Sequence, residues 1–160
     1  MDIHSFHNLL IVLHAASATI SFFAGGFLIL SRRYTSNQIL FGVYWWTLVG
    51  MVVLLAGGMI VYWAEYSDTE RIIFTGLLGL GLYMLYRARS ASRLLQAGQN
   101  DWKRGYVEQI GFTLISLFEG FIIVGGLNTG LPGWLVAFLA VLGILLGRWM
   151  IGLAKRLMGT

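Results

Sequence analysis

The chain has no cysteine, a single proline and very little charge. Without cysteine there is no disulfide framework, no thiolate nucleophile and no cysteine-ligated zinc or iron–sulfur centre. Only 11% of the 160 residues are charged, whereas a soluble domain carries roughly a quarter. That is too little to clothe a water-exposed surface. The P-loop, the Rossmann glycine fingerprint, His-Glu-x-x-His and Gly-x-Ser-x-Gly are also missing, which removes the common signatures of soluble enzymes.

What is present is apolar: 58% of residues are hydrophobic, and they fall in long runs instead of alternating or 3.6-residue stripes. A helix that is apolar all round is a deep core helix or a membrane span, and a chain this short cannot bury several of them. A span needs about 20 apolar residues. One run ends at Ser31-Arg32-Arg33, a second at Glu65, Ser67 and Asp68, and another at Asn128-Thr129-Gly130. The last run opens on Pro132, placed where its missing N–H is harmless. The third run, over residues 72–86, is short, roughly 22 Å long. Arg71, Arg87 and Arg89 must snorkel if it crosses. The expected fold is an all-α polytopic membrane bundle of five helices, one domain over residues 1–160, with spans at about 9–30, 39–63, 70–90, 107–127 and 132–152. The start Met1-Asp2-Ile3-His4 lacks the positive segment of a secretory signal, so the first run is expected to be a span.

The net charge of +4 would suggest nucleic acid in a soluble protein. Here it is topological, and no nucleic-acid partner is expected. With five spans, ten of the 11 basic residues fall on the side that receives Arg32, Arg87, Lys103 and Arg156, and only Arg71 falls on the other. Positive residues favour the cytoplasmic side, which puts the N-terminus outside and the C-terminus inside a bacterial cytoplasmic membrane. Aromatic residues mark the interfaces, Tyr44, Trp45 and Trp46 on the inner side and Tyr62, Trp63, Tyr66 and Trp134 on the outer.

Helices associate in lipid through close approach of small residues and through polar contacts. Ser17, Ser21 and Gly25 recur at four-residue spacing in the first span, Ser116 and Gly120 in the fourth, and Gly143 and Gly147 form a GxxxG in the fifth. That GxxxG suits either internal packing or an oligomer face.

An ionisable residue deep in a span disfavours insertion by roughly 2.5–3.5 kcal/mol, so it needs a partner or a purpose. His14 and Glu119 both fall in the outer half of the bilayer at comparable depth, roughly 7–8 Å and 12 Å from their span ends. The expected buried polar site is His14 with Glu119, surrounded by Ser17, Ser21 and Ser116. The alternative for the histidines is b-type haem. His4, His7 and His14 all lie on the first span, so opposite haem faces would need a second copy or a partner subunit to supply an axial ligand. The acidic cluster Glu65, Asp68 and Glu70 reads as a solvated loop, and no metal site is expected.

The pattern His14, Gly25-Gly26, Arg32-Arg33 and Gly42-x-Tyr44, with Tyr83-x-x-Tyr86-Arg87-Ala88 closing the third span, resembles a family of small uncharacterised bacterial multipass membrane proteins. The resemblance covers about the first 90 residues. It implies a multipass fold and carries no assigned activity. Many members place a second histidine in the first inner loop, where this chain reads Thr35-Ser36-Asn37-Gln38. An activity that needed both histidines would be missing here.

Three functional readings follow. The first is a non-catalytic membrane protein, a homo-oligomer or small subunit of a membrane complex, with a buried His/Glu site. The second is a redox subunit holding b-type haem or quinone through His14. The third is a proton-coupled carrier working through Glu119.

Overall fold

The computed structural model of the chain describes residues 3–30, 37–97 and 102–158. These form five helices: α1 (Ile3–Leu30), α2 (Gln38–Tyr62), α3 (Asp68–Ala97), α4 (Trp102–Asn128) and α5 (Gly133–Met158). The basic pair Arg32-Arg33, Thr35-Ser36 and the side chain of His4 lie outside the described residues.

Local chemistry sets the helix ends. Asn37 caps α2, its side-chain oxygen accepting from the Leu40 N–H at 3.0 Å. Ser67 and Glu70 form a capping box at α3: the Glu70 carboxylate accepts from the Ser67 N–H at 2.8 Å, and the Ser67 hydroxyl faces the Glu70 N–H at 3.4 Å. Between α4 and α5 the chain turns through Gly130, whose φ of 73° is left-handed. The Leu131 N–H then returns to the Gly126 carbonyl at 3.0 Å, a Schellman closure that needs glycine at that point. Pro132 cannot extend α4 and instead opens α5, its carbonyl accepting from Leu135 and Val136.

Side-chain contacts fix the packing order. α1 lies antiparallel to α2, with His14 opposite Met51 and Ser21 opposite Tyr44. α3 lies antiparallel to α4, with Tyr83 against Phe112 and Leu94 against Gly105. The two hairpins meet along α1–α4 and α2–α3, closing a four-helix ring, and α5 packs on the outside of α4. One end of the bundle is acidic, with Glu65, Asp68 and Glu70; the other is basic, with Arg87, Arg89, Arg93, Lys103, Arg104, Lys155 and Arg156.

Near the basic end the ring is solid. Leu28, Leu48, Ala88, Tyr106, Val107 and Ile110 are fully buried. At the centre of this core is Tyr44, also fully buried. Its hydroxyl bonds to the Thr113 hydroxyl, which in turn donates to the Ile110 carbonyl at 2.7 Å. The Ser21 hydroxyl donates to the Tyr44 carbonyl at 3.3 Å. Gly25 makes room for the ring, since a Cβ there would lie 3.1 Å from Tyr44 Cε2. Tyr44 is therefore a core residue and not the interfacial marker expected from its place beside Trp45 and Trp46. Neighbouring helix faces explain this: Trp46 is 70% exposed, two residues and about 200° further round α2.

The outer faces carry Leu30, Ile39, Ile60, Trp134 and Trp149, all more than half exposed. Among the described residues four helices, α1, α2, α4 and α5, are long and apolar enough to cross a membrane, as an integral membrane protein in contact with lipid requires. α3 is as long but carries more polar residues.

Candidate site: an apolar cavity and a buried carboxyl

The solid core does not continue to the acidic end. There α1–α2 and α3–α4 stay paired while the two hairpins separate, leaving a cavity of about 320 Å³ between four helices. Its walls are apolar, built from Leu10, Leu54, Met59, Phe74, Leu77 and Leu117. His14 and Ser116 are polar points in the wall, and His7, Tyr66 and Glu70 stand at the acidic end. The His7 ring stacks on Tyr62 with centroids 3.8 Å apart. Burial raises the Tyr66 phenol above its ordinary value, and the charge of Glu70 adds to the effect, so the phenol stays a neutral donor at neutral pH.

His14 Nδ1 is 2.9 Å from the Met51 carbonyl oxygen. A carbonyl only accepts, so Nδ1 carries the hydrogen. In the neutral ring Nε2 is then left as an acceptor.

Glu119 is elsewhere. It is 7% exposed, neither carboxyl oxygen has a hydrogen-bond partner among the described residues, and its Oε1 occupies the space that a Cβ on Gly143 of α5 would fill. The structure does not join His14 to Glu119: the histidine turns to α2 and the cavity, the carboxyl to the α4–α5 seam. Ser116 and Glu119 are three residues apart, about 60° round the helix, and that offset sends them to different spaces. Ser21 belongs to the Tyr44 network, and Ser17 lies beside Gly50 of α2.

The glycines also divide. Gly25, Gly143 and Gly147 sit in close interhelical contacts. A Cβ on Gly120 would meet nothing within 4 Å, and the residue faces the cavity, so it borders open space and is not a packing point. The acidic cluster is likewise split: Glu70 caps α3, Asp68 pairs with Arg71 at 3.2 Å with its own side chain 94% exposed, and among the described residues no group of three or more His, Cys, Asp or Glu side chains could hold a metal.

Compared with known proteins, the chain matches no family model, no curated protein and no solved structure. The site's chemistry must therefore be read from its own geometry. His7 and His14 are separated by two helical turns, about 10 Å, and both line one side of the same cavity. They cannot bracket a flat macrocycle from opposite faces. What the cavity offers is a mostly apolar volume with the His14 ring in its wall.

Proposed function

We propose that the chain is a non-catalytic binding protein of the bacterial cytoplasmic membrane, acting as a homo-oligomer or small subunit, that takes an apolar alcohol or phenol from the lipid phase into the cavity between α1 and α4. The observation that carries this reading is the apolar cavity with His14 in its wall, the ring's Nδ1 already committed to the Met51 carbonyl and its Nε2 left to accept. Its volume falls within the roughly 300–1,000 Å³ common for small-molecule sites, which pair mostly apolar walls with a few placed polar groups. A hydroxylated aromatic such as a quinol fits the chemistry, the hydroxyl donating to His14.

Titration of the purified protein in detergent with 1-naphthol, with naphthalene as the apolar control, tests it. One hydrogen bond contributes roughly 0.5–1.5 kcal/mol, so 1-naphthol should bind about 2- to 10-fold more tightly. His14→Phe should erase that preference. Gly120→Leu, projecting into open space, should abolish binding of both probes while leaving the fold intact. Equal binding by wild type and Gly120→Leu would sink the reading. A Soret band lost in His14→Ala would replace it with haem ligation.

The same proposal has α3 crossing the membrane, with the N-terminus outside and the C-terminus inside. The basic residues do not settle this alone. Were α3 to lie in the interface, nine basic residues would share the side of both termini and two would remain opposite, nearly as lopsided as ten against one. Support comes from α3 itself. It has 30 residues, about 45 Å, and packs against both α2 and α4. Its flanking arginines reach toward the ends: Arg71 donates to the Trp63 carbonyl at 3.2 Å, and Arg87 donates to the Glu108 carbonyl at 3.3 Å while lying over Phe112. Because the chain lacks cysteine, Ser5→Cys and Thr160→Cys can be labelled singly. An impermeant maleimide should reach Ser5→Cys in intact cells and Thr160→Cys only after permeabilisation. Labelling both from one side would remove the α3 crossing.

A further inference from the structure

The α4–α5 seam is built from glycines in one antiparallel register. Gly111 accepts Ile151, Gly147 accepts Ile115, Gly143 accepts Phe118 and Glu119, and Gly126 accepts Val136. A Cβ at any of these four glycines would approach the facing side chain to within 3.0 Å. Two of the glycines belong to α4 and two to α5, so each helix contributes bumps to the other's hollows. Into this closely packed zipper, near its middle, the chain places a carboxyl.

Among the described residues nothing in the seam answers a negative charge. Along α5 no charged residue precedes Arg148, which lies five residues beyond Gly143 toward the basic end. Lys155 is engaged with Glu108. On α4 the other charged residues are Lys103, Arg104 and Glu108, all at least 11 positions from Glu119. α1 brings Phe22 against Phe118 and Phe121, and His14, eight residues nearer the acidic end of α1, is bonded to Met51. A bare carboxylate in such a place is strongly disfavoured. Glycine at 143 supplies the room that the acid occupies. This arrangement is separate from the cavity and does not depend on what the cavity binds.

We propose that Glu119 is a proton-binding site within the membrane, a single carboxylic acid lodged in the glycine seam between α4 and α5 and open to hydrophobic carbodiimides arriving from the lipid. In that reaction the acid's proton passes to a carbodiimide nitrogen and the carboxylate oxygen bonds to the central carbon. The acyl group then shifts to nitrogen, so one whole reagent is added and nothing leaves.

The test uses the full chain in detergent or vesicles, treated with dicyclohexylcarbodiimide and read by intact mass and peptide mapping. The expected result is one equivalent on Glu119 in wild type and none at this position in Glu119→Gln, a variant that keeps shape and volume. Gly143→Ala should slow the reaction several-fold, since the new methyl competes for the space of Oε1. A water-soluble carbodiimide should leave Glu119 unmodified. Infrared spectra supply a second readout: a carboxylic acid C=O band that shifts in D2O and disappears in Glu119→Gln. Absence of both the adduct and that band in folded wild type would overturn the proposal, as would equal modification of wild type and Glu119→Gln. Loss of naphthol binding with the adduct and band intact would count against the cavity reading alone.

Discussion

Tyr44→Ala should lower the stability of the bundle by about 3–5 kcal/mol, the range for removing a large aromatic from a packed interior. Tyr44 is completely buried and contacts two neighbouring helices at once. Its ring fills the hollow over Gly25 of α1, its hydroxyl meets Thr113 of α4, and its carbonyl receives Ser21. Tyr44→Phe separates the two contributions. It keeps the ring and removes only the hydroxyl, while Thr113 retains the Ile110 carbonyl as its acceptor. The loss should then be about 1 kcal/mol or less, as for interhelical hydrogen bonds in membranes generally. Unfolding by SDS in mixed micelles reads both values. If Phe were as damaging as Ala, the polar contact and not the packed ring would be holding the core together.

The same residue shows where sequence reasoning stops. Long apolar runs reveal an all-helical membrane chain because lipid demands that every backbone polar group be satisfied within a helix. They do not reveal that Tyr44 faces inward. In a helix apolar on every side, hydropathy no longer distinguishes core from lipid, and only contacts do. For the same reason the runs mark the apolar stretch of each helix and not its ends: they predict α3 over 70–90, whereas it continues to Ala97, and α4 from 107, whereas it begins at Trp102. Propensity carries a helix beyond the hydrocarbon edge, whereas hydropathy reports only the edge.

The candidate site is half legible in the sequence. Expense of burial singles out His14 and Glu119, and both do hold unusual positions. Depth matching suggests that they meet, but span ends read from hydropathy misjudge height, since Phe22 and not His14 faces Phe118 and Phe121, and depth says nothing of angle around the helix. Three residues of offset between Ser116 and Glu119 are enough to turn the carboxyl away from the cavity. Some features that hydropathy misses have other signals. Ser67-x-x-Glu70 is a capping-box spacing, and the glycines at 111, 126, 143 and 147 share one register once α4 and α5 are laid antiparallel. The cavity has none, because it arises from two hairpins separating, which no local pattern encodes.

That glycine register sets the other large expected effect. Gly147→Leu should destabilise the seam by about 1–3 kcal/mol or more, the usual penalty for forcing atoms into a packed contact. A Cβ at 147 would collide with Cγ1 and Cδ1 of Ile115. Cγ1 lies near the root of a β-branched side chain on a helix, with one strongly preferred rotamer, so it cannot swing clear as a flexible tip would. Gly152→Leu is the matched control on the same helix, because nothing lies within 4 Å of its Cβ position. That change should be close to neutral, or slightly stabilising through about 0.8 kcal/mol of helix propensity. α5 rests chiefly on α4 and takes no part in the four-helix ring, so the damage should be local. In Gly147→Leu, limited proteolysis should release α5 before the ring unfolds, 1-naphthol should still bind the cavity, and the environment of Glu119 should open to water-soluble carbodiimide. The GxxxG of α5 is thus committed within the chain, and a partner subunit would have to use another face. If Gly147→Leu proved as mild as Gly152→Leu, the seam would not be tight, and the dry slot assigned to the Glu119 carboxyl would lose its physical basis.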